Sequence, residues 1–487
     1  MRTWRALCCS ALVCLAAAPK SVRAATTLID DANVYAMPPL PPMGASAGSK
    51  ITDPTFGTTI MRLTDGSDGY ADCFAQYSYW PTFNKDSTWA QGVCHANNGT
   101  GRNITKFIRI DPVHFTVGTH FTQTTAPNGL YMSSSDMIWS GVDPNLILGH
   151  TREKLWAFNV ASKTYTLIKD FTGAIAAGDY PIYQMSRSVD DNVFAGTILR
   201  NNAAIGYMVW RRSDDKILLQ QYVSGVNEVR IDKTGRYLIV ITDPYPGTIV
   251  WDLTSSVPTA TNLPSDSAFS HHDAGRGTVF TSSPWNPADI RRGLSLRPLA
   301  NPTTGTWIMP GKFSTCTKGC YHFSSLADNE GWGVASFCAN LVPAGCSSDN
   351  SAGTSNPTAF DNEILQVALD GSGHVRRIAH HRSVGTDYRS SPMANISRDG
   401  KFIGFTSNWG NVTGKRDLFA VMIPPAPGSA PLSTDLNGDG VTNVSDVQLC
   451  VIQALGLAPC ASADLDRNGL CNVADVQIVV NGVLGLR

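Results

Sequence analysis

The chain has 487 residues, 43% hydrophobic and 16% charged, with a formal net charge of −1. With 38 Lys and Arg against 39 Asp and Glu, it lacks the basic excess by which a nucleic-acid binder neutralises phosphates. Low charge combined with common Gly, Ser, Thr and Asn is the composition of a β-rich extracellular protein. At the N-terminus Arg2 and Arg5 precede an apolar run from Ala6 to Ala18, and Val22-Arg23-Ala24 closes the segment. Residues 1–24 are therefore expected to be a secretion signal, which places the mature protein outside the cell. No later apolar run reaches the ~18 residues of a membrane span, so none is expected.

Residues 25–50 are rich in Pro, Ala and Ser and read as an extended leader over a domain surface. From Ile51 a unit recurs: a short strand, a polar turn built on Asp with Gly or Asn, then further β-branched and aromatic strands. The turns are anchored by Asp86, Asp143, Asp190, Asp232, Asp273, Asp328 and Asp399, spaced 41 to 71 residues apart. Four short strands with their turns occupy roughly 40–50 residues, the period of a propeller blade. Arg236-Tyr-Leu-Ile-Val-Ile-Thr242 is apolar at consecutive positions, as a strand covered on both faces by neighbouring blades must be. The expected fold is all-β, a seven-bladed β-propeller over residues 51–423. A Pro-rich linker at 424–434 then leads to a small all-α module at 435–487.

Twelve cysteines are present, three of them in the signal. Cys73 with Cys94, Cys316 with Cys320, and Cys338 with Cys346 are near enough in sequence to pair in an oxidising compartment. Cys316, Cys320 and His322 also admit a zinc reading. Cys450, Cys460 and Cys471 form an odd set, leaving one thiol over.

Polar residues just upstream of the anchors would line a propeller channel. Three groups converge there: His271 and His272, His322, and Tyr388 with Arg389 following the His380-His381-Arg382 segment. The stretch Ile51–Thr64, the Ser270–Asp273 segment, His322 with Gly331-Trp332, and Ile396–Lys401 with Thr406–Gly410 resemble secreted bacterial propellers. Those are similar in turn to the lyases that cleave oligogalacturonate and ulvan. β-Elimination beside a uronate needs its carboxylate neutralised, a base for the C5 proton and an acid for the leaving oxygen. The resemblance thus implies a polysaccharide substrate and catalytic roles for His271, His272, His322, Tyr388 and Arg389. Some of these lyases work around a divalent metal in the channel. Here, however, Met393 stands where the repeat alignment would place a histidine corresponding to His322. The alternative from another class is a non-catalytic propeller that binds glycan or protein.

The last 53 residues are one sequence written twice. Asp435, Asn437, Asp439 and Asp446 in the first copy, and Asp464, Asp466, Asn468 and Asp475 in the second, occupy loop positions 1, 3, 5 and 12. Gly440 and Gly469 stand at position 6, and the Val441 and Leu470 carbonyls at position 7. Oxygen donors in this register suit two Ca2+ ions. Aspartate rather than glutamate at position 12, a single helix after each loop and the duplication resemble a type I dockerin. The resemblance implies a cohesin-like scaffold protein as partner, met through positions 10 and 11: Val444, Ser445, Val473 and Ala474. The alternative is a calcium-stapled cap without a partner.

Overall fold

The computed structural model describes residues 28–484 except 36, 68, 97–102, 135, 177, 244–246, 266, 270, 283–293, 309–319, 339–340, 343–344, 347–358, 385–387, 412–414, 425–433, 461, 464 and 466–470. The signal segment, Cys316 and the second-copy ligands Asp464, Asp466, Asn468 and Leu470 lie outside them.

Among the described residues, seven antiparallel sheets of four or five strands follow one another along the chain, with a two-stranded pair, Leu341–Val342 and Gly345–Cys346, inserted in the sixth. The first blade is built from Tyr70–Phe74, Trp89–Ala96, Asn103–Asp111 and Thr116–Thr122, and the next five repeat the pattern. The seventh is closed differently. Its strands Asn395–Ile396, Phe402–Ser407 and Asp417–Met422 are joined by Thr59–Arg62 and Lys50–Thr52 from the other end of the domain, in register Thr59↔Met422 and Arg62↔Phe419. Arg62 pairs with Asp417 across this seam, and Thr64 donates to the same carboxylate at 3.0 Å. Pairing the two ends of the domain in one sheet ties the ring shut.

Apolar side chains collect into a separate cluster at each of the seven blade interfaces. One joins Ile108 of the first blade to Phe402 and Leu418 of the seventh, which closes the ring. Tyr237–Thr242 shows the cause: five of its six residues are buried, because both faces of the strand meet a neighbouring blade. The Asp anchors lie at the junction of the first and second strand of each blade. At Asp232 the side chain accepts from the Arg236 and Tyr237 amides, both at 2.8 Å, and from the Thr234 hydroxyl, so a short carboxylate satisfies the turn's free donors. Asp273 differs slightly, standing inside the strand His272–Ala274 and not in the turn after it.

The leader is tied down from Leu28 onward. Ile29 bridges to Arg377, the Pro38 carbonyl accepts from Arg382, and the Pro41 carbonyl accepts from the Trp409 indole at 2.9 Å. His380 and His381 are buried. His380 stacks on Phe56, and His381 meets the Phe337 carbonyl at 2.8 Å, where burial takes its pKa down to about 3. Among the described residues no helix is long and apolar enough to cross a membrane.

Cys73 and Cys94 are bonded across the first two strands of blade one, 21 residues apart. Cys338 is also disulfide-bonded. Closing a loop of that length removes unfolded-state freedom worth ~3 kcal/mol. Replacing both cysteines by alanine is expected to lower stability by about that amount, read as a fall in the melting temperature; an unchanged midpoint would show that the bond adds nothing to the folded domain.

Residues 425–487 belong to a second compact unit, which carries two helices, α1 (Val444–Ala454) and α2 (Val473–Val483). They pack around Cys450, Ala463 and Val479, with Leu436, Val447 and Val476 partly buried against them. Cys460 is bonded to Cys471, and Cys450 is a buried free thiol. Of the odd set of three, the spare is therefore Cys450.

Candidate functional site

The first strand of each blade lies innermost, and side chains from opposite blades meet across the axis. Tyr77, from blade one, is the meeting point. Its ring stands edge-on to His322 with centroids 4.9 Å apart, and 6.4 Å from His271. The two histidine rings, from blades five and six, are 5.2 Å from each other. His322 is fully buried, whereas His271 is partly exposed and so is the more accessible of the two.

Burial sets their protonation. It lowers His271 from its ordinary value to about 4, with His272 adding repulsion against the nearby Glu228 attraction. It lowers His322 well below the ordinary range, and His271 adds to that. Both imidazoles are neutral near pH 7, the form that accepts a proton.

His272 sits at another depth. Neighbouring strand residues point to opposite sides, and His272 faces Tyr79 at 6.5 Å and Glu228 at 3.9 Å. Tyr79 donates to Glu228, and the Arg230 guanidinium lies over its ring at 3.1 Å. This second layer is nearly closed to solvent, with Tyr79 6% and Arg230 3% exposed.

Arg389 shares a cleft with Tyr77. It is exposed and lines a cleft of about 160 Å³ together with Phe74, Gln76, Tyr77, Asn103 and Met393. Its Nη1 meets His95 Nε2 at 2.7 Å, and His95 Nδ1 meets Asp72 Oδ2 at 2.8 Å. Arg416 holds the same carboxylate through two nitrogens, both at 2.9 Å. An exposed guanidinium is thus aimed by a chain of partly buried partners, which orients it without a ligand. Tyr388 opens the single helical turn Tyr388–Ser390, but its side chain is outside the described part.

Of the expected residues, His271, His322 and Arg389 are therefore gathered around Tyr77, and His272 lies a layer away. Tyr77, His95 and Asp72 were not anticipated. The pairing of Cys73 with Cys94 held the signal for two of them, because that register sets Asp72 opposite His95.

The described residues of this channel do not bring together a set of metal ligands. Two histidines come together, Met393 occupies the cleft wall, and no group of three His, Cys, Asp or Glu is placed to hold a metal ion among the described residues.

In the C-terminal unit the first loop is built by its own side chains. Asp435 accepts from the amides of Gly438, Asp439 and Gly440, and both glycines have left-handed φ, 74° and 89°. Asn443 caps α1, and Asp446, buried in its first turn, accepts from Leu436, Asn437 and Asn443; these amides hold its carboxyl below the usual range. Asp475 repeats this in the second copy, accepting from Leu465 and Asn472. The Val441 carbonyl accepts from the Asn443 side chain at 3.1 Å. The donor set is all oxygen and each carboxylate has lone pairs beyond those its amides use, so the chemistry suits a hard cation. Among the described residues the carboxylates do not form a closed cage.

No family model matches the chain, and no curated protein is similar to it in sequence. Solved structures are similar in fold. An oligogalacturonate lyase from Vibrio parahaemolyticus superposes with TM-score 0.52 at 9% identity, covering 77% of this chain and 96% of its own. An oligogalacturonate lyase in complex with manganese superposes with TM-score 0.54 at 12% identity, covering 78% and 99%. At such identities the likeness establishes the seven-bladed propeller and nothing finer.

Proposed function

We propose that this chain is a secreted, carbohydrate-associated propeller that cleaves an acidic polysaccharide by β-elimination. The observation that carries this is the gathering of a pre-oriented, exposed Arg389 and two neutral histidines around Tyr77. Fold likeness to oligogalacturonate lyases supports the same substrate class. Arg389 pairs with the uronate carboxylate, which acidifies C5–H. His271 takes that proton, the C4=C5 double bond forms, and the C4–O bond breaks. The leaving oxygen gains a proton from a neighbouring hydroxyl, a role open to Tyr388 or Tyr77. No metal enters these steps.

The C-terminal unit, in this proposal, binds two Ca2+ ions and attaches the enzyme to a cohesin-like scaffold protein. Bound calcium would neutralise clustered carboxylates and close each loop. Support comes from the repeated capping of Asp446 and Asp475, and from Val444 and Val473, the two copies of position 10, which are 64% and 81% exposed. Apolar side chains so exposed at matching positions mark a contact surface.

The narrow cleft and the aromatic filling of the axis by Tyr77 and Tyr79 favour one rival, a propeller that only binds glycan. Mass spectrometry of digests separates the two. Elimination leaves unsaturated fragments lighter by one water than hydrolytic ones, and intact polymer after incubation with each polyuronate would leave the binding reading.

A further inference from the structure

A groove larger than the Arg389 cleft adjoins it. It lies at the tips of blades two and three, encloses about 380 Å³, and shares Asn103 with that cleft. A volume of 160 Å³ is below the range of about 300–1,000 Å³ in which small ligands are held, and 380 Å³ is within it. Whatever enters the Arg389 cleft needs further surface, and this groove is the adjoining one.

Its walls are polar and aromatic: Tyr131, Tyr180 and Tyr183 with Arg152, Asn103 and Asn202. Arg152 sits at the hairpin tip between Leu146–Thr151 and Lys154–Asn159, with φ at +54°. Asn202 stands at the corresponding tip of blade three, in an Asn201-Asn202 turn with both φ positive. The floor is rigid. His150 meets Asp136 at 3.0 Å, Asp136 also accepts from the Gln184 amide at 2.7 Å, and the Tyr183 ring lies edge-on to His150. Arg152 has no ion-pair partner among the described residues, although its neighbour Lys154 is paired with Asp170. An unpaired guanidinium between tyrosines and amides is a receptor for a carboxylate on a hydroxylated ring: the fork takes the carboxylate, the aromatic faces take the ring, and the amides take hydroxyls.

We propose that this groove is a second subsite, which binds another uronate residue of the same acidic chain whose scissile bond lies at Arg389. The inference rests on the proposed substrate class but not on catalysis. It is tested with the full chain by calorimetric titration of galacturonate oligomers of increasing length, and of their methyl esters. The affinity of the wild type should rise once an oligomer spans both sites. Arg152→Gln should remove that increment, weakening the long acidic oligomer about tenfold, the effect of losing one charge-assisted pair. Short oligomers and methyl esters should bind both forms alike. Tyr183→Ala should weaken the long oligomer in either charge state. Affinity indifferent to length, equal binding by wild type and Arg152→Gln, or no binding of acidic oligomers would each overturn the subsite. Length-dependent binding without unsaturated product would overturn the lyase proposal and leave the subsite standing. Product formation with KM unchanged in Arg152→Gln would do the reverse.

Discussion

Chelation of calcium is expected to erase most of the helical circular dichroism of this protein while leaving its β signal in place. The separation is possible because α1 and α2 are the only α-helices among the described residues, and both belong to the C-terminal unit. That unit has too little core to offset the chain entropy of about 50 ordered residues, since domains of that size usually need a metal or a covalent staple. One staple is present in Cys460–Cys471, which closes an 11-residue loop and contributes roughly 2–3 kcal/mol. Chelator and reductant together should therefore unfold the unit more completely than chelator alone. Calorimetry of the full chain should give a stoichiometry near two, falling to one in Asp435→Ala and in Asp464→Ala. A stoichiometry of zero, with helix indifferent to chelator, would leave Asp446 and Asp475 as helix-capping residues only.

Replacing Arg389 by alanine should lower kcat/KM on polyuronate by about 10²–10³, the cost of removing one electrostatic stabiliser of the developing charge. His271→Ala should cost about 10²–10⁴, as for a general base. Arg389 is exposed and His271 partly so, and the fold should tolerate both changes. The pH profile is a second readout. His271 must be unprotonated to act, and burial sets its pKa at about 4; activity should rise as pH passes through that value and stay level toward neutrality. An acid limb near the ordinary histidine value of 6.5 would identify a different base. Variants with unchanged kinetics would remove these residues from the mechanism.

Much of the propeller was legible because its turns are chemically local. Asp232 binds amides and a hydroxyl within five residues of itself, so the strand-turn-strand unit leaves a mark in a short stretch of sequence. The closure of the ring was not legible. Thr59–Arg62 pairs with a strand more than 350 residues away, and nothing in either segment specifies that edge over another. The site divides in the same way. His271, His322 and Arg389 stand out in the sequence as candidates because they precede anchors of successive repeats. Tyr77, His95 and Asp72 come from blade one, about 200 to 300 residues away along the chain from His271, His322 and Arg389, and only the closed propeller brings them within reach. Similarly, three closely spaced cysteines in the C-terminal unit admit several pairings, and the packing of α1 against α2 is what buries Cys450 and leaves Cys460 for Cys471.

Lyase activity is tested most directly by the ultraviolet absorbance of the conjugated double bond that elimination creates at the new chain end. The purified full-length protein, incubated with polygalacturonate, ulvan and a neutral glycan, should produce a steady rise with one of the acidic polymers and none with the neutral one, and the rise should vanish in Arg389→Ala. Saturable binding of those polymers with no absorbance change at any pH between 5 and 9 (about the range over which His271 stays neutral) would contradict it, because a neutral base and an aligned guanidinium would then be present without the reaction they are assigned.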